Sequence, residues 1–452
     1  MRLMLRHPFR SAVVLVACVS IGGSAAAQAQ TSPQQASNLK EESRDPIQLE
    51  QASIKADDGT VTEGTLYWIP SKRPKTVVLT MHPNDDRQRH YMLRPAAERG
   101  FAGFGLKSRW WGQHGIHEEL LLDIAAAVRY LKKERGFEHV ILTGQSGGGS
   151  LFAFYQSQAE KSPPDRYKQT PAGAPPDLNK HEMIPADGIV ILNANEGEGL
   201  HLTHHLDPSI IDESDPFSVD PSLDMYNPDN GFRLPPESSV YTPEFRKRFR
   251  DAQWARAERL TEQARAHLRE REFYGALLKG PGFEKLPLEQ RLKIERRAEH
   301  LPIMVLYRSE ADLDYTDQVT RKSDRAYGSN RTERPDVFNL GPSARTRTIL
   351  PDVFLSTMSG PASRARLHEN IKGVSVPTLV LIGTADRGTY TWEQEETFEH
   401  AGAKDKTVVK VEGADHAWNP SGPKAGDGKQ KERMLDALFG WVAKRFPTGS
   451  GK

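Results

Sequence analysis

The chain has 452 residues, room for one large domain with an insertion or for two to three ordinary domains. Its 61 Lys and Arg nearly cancel its 60 Asp and Glu, which gives no basis for nucleic acid or an anionic membrane surface as the main partner. Hydrophobic residues make up 37%, sufficient for a core, and Cys18, the one cysteine, leaves no partner for an internal disulfide.

The chain opens on "MRLMLRHPFR", with Arg2, Arg6 and Arg10, then the short apolar stretch "SAVVLVACVSIGG", then "SAAAQAQ" with small residues at signal-peptidase spacing. Residues 1–29 are expected to be a secretory signal cleaved after Ala27 or Ala29, too short to span a membrane stably. A polar, flexible leader over 30–50 follows. "LVAC", ending at Cys18, resembles a lipoprotein processing site, so a lipid-anchored form is the alternative. After cleavage the mature chain has no thiol nucleophile, and the expected location is secreted or periplasmic.

Next, "QASIKADDGTVTEGTLYWIP" reads as a hairpin turning at Asp58-Gly59. "TVVLTMHP" is a buried strand, "YMLRPAAERG" a short helix closed by Gly100, and "FAGFGLKS" a strand. "HEELLLDIAAAVRYLKKERG" is a helix, with Leu120, Ile124, Val128 and Leu131 on one face. "HVILTG" and "DGIVILNAN" are strands on either side of the helix "GGSLFAFYQSQAE". Later "TLVLIGTAD" and "TVVKVEGADH" are strands, and "KERMLDALFGWVAKRF" is a closing helix. Apolar strands alternating with amphipathic helices predict an α/β fold: a mostly parallel sheet covered on both faces.

Residues 196–373 break this rhythm. They begin rich in Pro, Asp and Ser, then run through the charged "TPEFRKRFRDAQWARAERLTEQARAHLRERE", with Ala257, Leu260, Ala264 and Leu268 on one face. The interval is expected to be an inserted, mainly helical cap between core segments 51–195 and 374–446. "LPIMVLYRSEADLD" within it reads as an extra strand, a candidate edge strand of the main sheet.

The motif that carries chemistry is Gly144-Gln145-Ser146-Gly147-Gly148, between a strand and a helix. This G-x-S-x-G pattern puts a serine on a sharp turn, with glycines where neighbouring backbone must approach closely. The Gly147 amide and the helix N-terminus would stabilise developing negative charge. A serine hydroxyl needs a base to take its proton, and the base needs an orienting acid. His416 follows the last strand and Asp386 the strand before it, both past carboxyl ends, where ligands bind in such sheets. Asp312 is the rival for the acid, and Asp415 is expected to brace the histidine loop.

With Ser146, Asp386 and His416 in that order, and "MHPN" after the third strand, the chain resembles the α/β-hydrolase family. The likeness is to bacterial esterases and the dienelactone-hydrolase and prolyl-oligopeptidase-like branches, over Gln51–Asn195 and Val374–Phe446. It implies a catalytic triad and an oxyanion hole. Where the family usually reads His-Gly, Pro83 has no N–H to offer, so Asn84, or else Asp85, would supply the second donor beside Gly147. The cap matches no family member.

Arg109, Trp110 and Trp111, after the fourth strand, are expected to rim the pocket, with Trp418 lining it; packing beneath the cap is the alternative. His82 is expected to support the oxyanion loop. His201, His204 and His205 have offsets that can share a metal, but without H-E-x-x-H or cysteine no metal is expected, and no cofactor. The reading is a secreted serine hydrolase acting on a small-molecule or oligomeric ester. A peptidase or amidase on the same triad, or a binding protein on a hydrolase scaffold, are the alternatives.

Overall fold

The computed structural model describes residues 47–342 and 347–449. The expected signal segment, the Cys18 site and most of the leader lie outside the described residues. Strand β1 (Gln48–Lys55) and β2 (Val61–Trp68) form the expected hairpin. Gly59 takes the turn at φ 92°, and Asp58 Oδ1 accepts the Thr60 N–H at 3.0 Å.

The core then alternates strand and helix: β3 (Thr76–Thr80), α1 (Leu93–Glu98), β4 (Ala102–Leu106), α2 (His117–Arg129), β5 (His139–Gln145), α3 (Gly147–Ala159) and β6 (Gly188–Leu192). The insert follows, with α4 (Glu198–Thr203), α5 (Pro243–Lys279), α6 (Leu288–Glu299), β7 (Met304–Val305) and β8 (Thr348–Ile349). The chain returns through α7 (Leu367–Asn370), β9 (Thr378–Gly383), α8 (Thr391–His400), β10 (Lys406–Val411) and α9 (Gln430–Ala443).

Eight strands form one sheet in the order β1-β2-β4-β3-β5-β6-β9-β10. β2 pairs antiparallel with β1 and β4, and all the later pairs are parallel. Side chains of the central strands divide cleanly between the two faces, as a period of two requires. Val77, Leu79, Val140, Leu142, Ile189, Ile191, Val380 and Ile382 face α2 and α3. Val78, Ile141, Val190, Leu192, Leu379 and Leu381 face α1 and α9. Both faces are covered, which is why these strands read as unbroken apolar runs. The strand order, with α3 springing from a serine at the end of β5, is that of the α/β-hydrolase fold.

The insert departs from expectation in three ways. The segment around Met304 adds no strand to the main sheet: β7 pairs only with β8, two residues each. Outside α5 and α6 the insert is mostly turn and loop rather than helix. The core also resumes before residue 374, because Ala365, Leu367 and Ile371 already pack against it. Helix α5 is capped by Thr242, whose Oγ1 accepts the Phe245 N–H at 3.1 Å, with Pro243 in the first turn. Its buried face runs from Phe245 to Ala264, and beyond that α5 stands out with α6 beside it, joined by an Arg297–Glu270 ion pair at 2.5 Å.

Candidate active site

Ser146 sits between β5 and α3 with φ 56° and ψ −131°, a backbone conformation a serine rarely adopts. The flanking glycines permit it. A Cβ on Gly144 would lie 2.4 Å from the Gly148 carbonyl oxygen, and one on Gly148 would lie 2.4 Å from the Met81 carbonyl oxygen. The turn is therefore wedged between its own helix and the end of β3, and the serine remains partly exposed.

Asp386 lies just past β9 and His416 just past β10. His416 Nδ1 is 2.7 Å from Asp386 Oδ2. The carboxylate is wholly buried while the imidazole side chain keeps 24% of its exposure. Asp386 also accepts the N–H groups of Gly388 at 2.7 Å and Thr389 at 3.1 Å, and the Thr389 hydroxyl at 2.7 Å. Three donors besides the imidazole fix its direction. The two loops are neighbours, tied by Ala385 N–H to the Ala414 carbonyl at 2.9 Å and Gly413 N–H to Thr384 Oγ1 at 2.9 Å. Asp415 Oδ1 takes the N–H groups of Ala417 at 2.9 Å and Asn419 at 2.8 Å, so it braces the loop.

Two polar side chains that the sequence reading passed over join these loops to the sheet. Gln145 Nε2 donates to the His416 carbonyl at 2.8 Å, and its Oε1 accepts from Tyr91 at 3.1 Å. Asn193 Oδ1 accepts the Gly383 N–H at 2.7 Å and its Nδ2 donates to the Asp415 carbonyl at 3.2 Å. The signal for Asn193 was present: a polar residue ending the apolar run "IVIL" at a sheet's carboxyl edge.

The rival acid is committed elsewhere. Asp312 Oδ1 accepts from Arg250 Nη2 at 2.5 Å and Oδ2 accepts from the Tyr390 hydroxyl at 3.0 Å. Burial would raise the Asp312 carboxyl, but Arg250, the Asp314 N–H and His204 together hold it below the ordinary value.

On the oxyanion side, the loop after β3 is pinned by Ser108, whose Oγ donates to the Pro83 carbonyl at 2.5 Å, and by the Gly112 N–H on the Asn84 carbonyl at 3.0 Å. The Asn84 N–H faces His82 Nδ1 at 3.5 Å. That contact leaves the proton of a neutral His82 on Nε2. Burial, then Arg87, pushes His82 well below its usual range, so it stays neutral near pH 7. Glu198 Oε1 and His82 Nε2 lie 2.2 Å and 3.3 Å from where a Cβ on Gly147 would stand, so glycine is needed here too. Asn195 Nδ2 donates to the same Glu198 oxygen at 2.9 Å.

The side chains expected to line the pocket are a correction. Arg109 points away to Asp123, with Nε at 3.0 Å from Oδ1, and to Asp58, so its guanidinium is spent on carboxylates. Trp110 lies flat on Gly115 and packs against the core. Trp111 is 59% exposed with the Lys107 ammonium 5.3 Å from its ring centre. Trp418, at φ 64°, turns back into the core and is fully buried. The histidines of "HLTHH" do not converge either: His204 pairs with Glu196, and His205 Nδ1 meets the His201 carbonyl.

No protein-family profile matches the sequence, and no curated protein does. Among solved structures the chain is similar to the esterase domain of a Rhodothermus marinus protein, at 10% identity and TM-score 0.39, covering 88% of this chain and 98% of that one. It is also similar to a thermophilic esterase from Thermogutta terrifontis, at 16% identity and TM-score 0.37, covering 87% and 98%. A monoacylglycerol lipase from Paleococcus ferrophilus gives 16% identity and TM-score 0.36, covering 88% and 99%. The fold assignment rests on the strand order and the turn at Ser146 rather than on these likenesses.

Proposed function

We propose that this chain is a serine hydrolase that cleaves acyl esters through Ser146, His416 and Asp386. The observation that carries the reading is the 2.7 Å contact of His416 with a fully buried Asp386, on a loop tied to the nucleophile turn by Gln145. With its Nδ1 proton held by Asp386, the imidazole uses its Nε2 lone pair as the base. Ser146 Oγ attacks the carbonyl carbon and its proton passes to His416. Negative charge collects on the carbonyl oxygen, facing the N–H of Gly147. Asn84 supplies the second donor, its 3.5 Å contact with His82 being long enough to exchange for the oxyanion. His416 then protonates the departing alcohol, and water, activated by the same base, releases the acid.

Labelling by a fluorophosphonate probe, abolished in Ser146→Ala, tests the nucleophile. Comparing p-nitrophenyl esters with the matching anilides tests the bond: esters turned over much faster support the proposal, and equal turnover would favour an amidase.

We also infer that the protein is exported, from the Arg-flanked apolar segment and the "AQA" that follows. The intact mass of the exported form should begin near Gln28 or Gln30. A mass beginning at Cys18 with acyl groups would replace this by the lipoprotein reading. No helix of the described residues is long and apolar enough to cross a membrane.

A further inference from the structure

Two histidines and a glutamate with no part in the proposed chemistry meet where α7 packs against α8. Glu396 and His400 are four residues apart on α8 and project from one face. His368 reaches them from α7. His368 Nδ1 is 3.6 Å from Glu396 Oε1, and His400 Nδ1 is 3.9 Å from the same oxygen. The three donor atoms all lie within 4.8 Å of one another.

The far nitrogen of His368 settles which atom holds its lone pair. Nε2 is 3.2 Å from the Glu393 carbonyl and 3.0 Å from Thr397 Oγ1. A carbonyl oxygen only accepts, so Nε2 carries the proton and Nδ1 is left bare, aimed at Glu396 and His400. A backbone carbonyl on the remote nitrogen is how metal-bound histidines are oriented. His400 Nδ1 is buried with no hydrogen-bond partner, a costly state for a polar atom unless something ligates it. Direct His–Glu pairing does not account for the group, since both separations exceed hydrogen-bond length.

We propose that His368, Glu396 and His400 form a binding site for a divalent transition-metal ion, zinc being the best match. Two imidazole nitrogens and one carboxylate oxygen suit zinc, whereas calcium and magnesium seek six or more oxygens. Bonds of about 2.0–2.1 Å in a tetrahedron put donors about 3.3 Å apart. Closing the cluster to that size draws donors now up to 4.8 Å apart together by as much as about 1.5 Å, shared between rotations of the two imidazoles and a Glu396 side chain that is 54% exposed. Water would take the fourth position. The ion would join α8, which begins five residues after Asp386, to α7, whose Asn370 Oδ1 already accepts from Ser157 on α3 at 2.9 Å. Its role is to staple the helix that follows the aspartate loop to α7, and through Asn370 to the helix that follows the serine, not to enter the hydrolysis, and it holds whether or not the ester reading does.

The test is calorimetric titration of the metal-stripped chain with zinc chloride, together with melting temperatures in zinc and in EDTA. One zinc per chain is expected, with a melting temperature raised by about 3 °C at a hundredfold excess over Kd. His368→Ala, His400→Ala and Glu396→Gln should each weaken binding by about tenfold or more and erase the shift. Glu396→Gln alters an exposed side chain and should melt like the wild type in EDTA, so it decides the matter if either histidine variant fails to fold. No zinc uptake, uptake that the three variants leave unchanged, or equally tight uptake of calcium would each overturn the proposal.

Discussion

The sheet core and the insert are held together by different means. In the core, side chains alternate between two apolar layers, and the backbone's polar groups are satisfied along the strand ladder. In the insert, smaller apolar clusters around Leu260 and Phe249 are tied together by buried ion pairs. Arg256, with no exposure, donates to Glu213 and to the carbonyls of Asp207, Tyr307 and Arg308. Arg308 Nε donates to Asp207 Oδ2 at 2.7 Å, and Arg250 holds Asp312. Apolar layers tolerate exchanges of similar volume. Buried ion pairs do not, because removing one partner leaves the other desolvated and alone. The core is thus specified by a pattern and the insert by apolar clusters joined through particular pairs, while the candidate chemistry sits on the rim of the patterned half.

The largest effects should separate activity from stability. Ser146→Ala should lower kcat by about 10⁴ or more with melting temperature unchanged. Asp386→Asn, which favours the wrong imidazole tautomer, should cost about 10⁴ as well. Asp312→Asn should stay within about tenfold of wild type on the same ester, since its partners are Arg250 and Tyr390. A reversed order of these two aspartates would move the acid into the insert.

Next in size is the cost of breaking the ionic interior. Asp207 is fully buried and bonded by Arg308, Asn339 and Ser209. Asp207→Ala should destabilise by about 3–5 kcal/mol in urea unfolding. Ile189→Val, equally buried in the sheet, should cost only about 0.5–1.5 kcal/mol. Equal costs would erase the contrast.

A smaller, graded effect comes from pH. His117 begins α2 at the seam, its N–H donated to Ser356 Oγ of the insert at 2.9 Å. Burial pushes its imidazole down to about 3. The unfolded chain, with histidine near its ordinary value of about 6.5, therefore takes up the proton first. Stability from this group is full above about pH 6.5 and is lost as pH falls from there towards 3. Urea midpoints between pH 7 and 4 should fall, and His117→Gln should flatten part of that slope; an unaltered slope assigns it to other groups. The smallest effect is at the projecting end of α5, where Glu270→Ala should change stability by less than about 1 kcal/mol, because the pair with Arg297 is half exposed.

The core was legible because apolar runs, helix stripes and Gly stops all agree there, and Asp386 and His416 stand at strand ends where the order can be read off. The pocket lining was not. Arg109 was misread because its partners, Asp58 and Asp123, are 51 and 14 residues away in the chain. Trp418 was misread because its left-handed backbone reverses the direction that a loop residue beside His416 would be given. Gln145 stood at the variable position of the motif, where nothing local marks a bond to a residue 271 positions on. In the insert, ties such as Asp207 to Arg308, 101 residues apart, leave no periodic trace, so loops were taken for helix and β7 for a sheet strand.

The chain leaves the sheet after β6 and rejoins it at β9, and those two strands lie side by side, with Ile189 opposite Thr378 and Leu192 opposite Leu381. The two strands are parallel, so the excursion leaves at the carboxyl end of β6 and re-enters at the amino end of β9, on neighbouring strands but at opposite edges of the sheet. Beyond the minimum of about a dozen residues that a parallel crossover needs, its length is not constrained by the sheet, since a far longer detour joins the same two strands without shifting the register of any of them. The entropy of closing such a detour grows only as the logarithm of its length. That makes this junction a natural splice point, where whole caps can be exchanged while the serine, aspartate and histidine loops keep their frame.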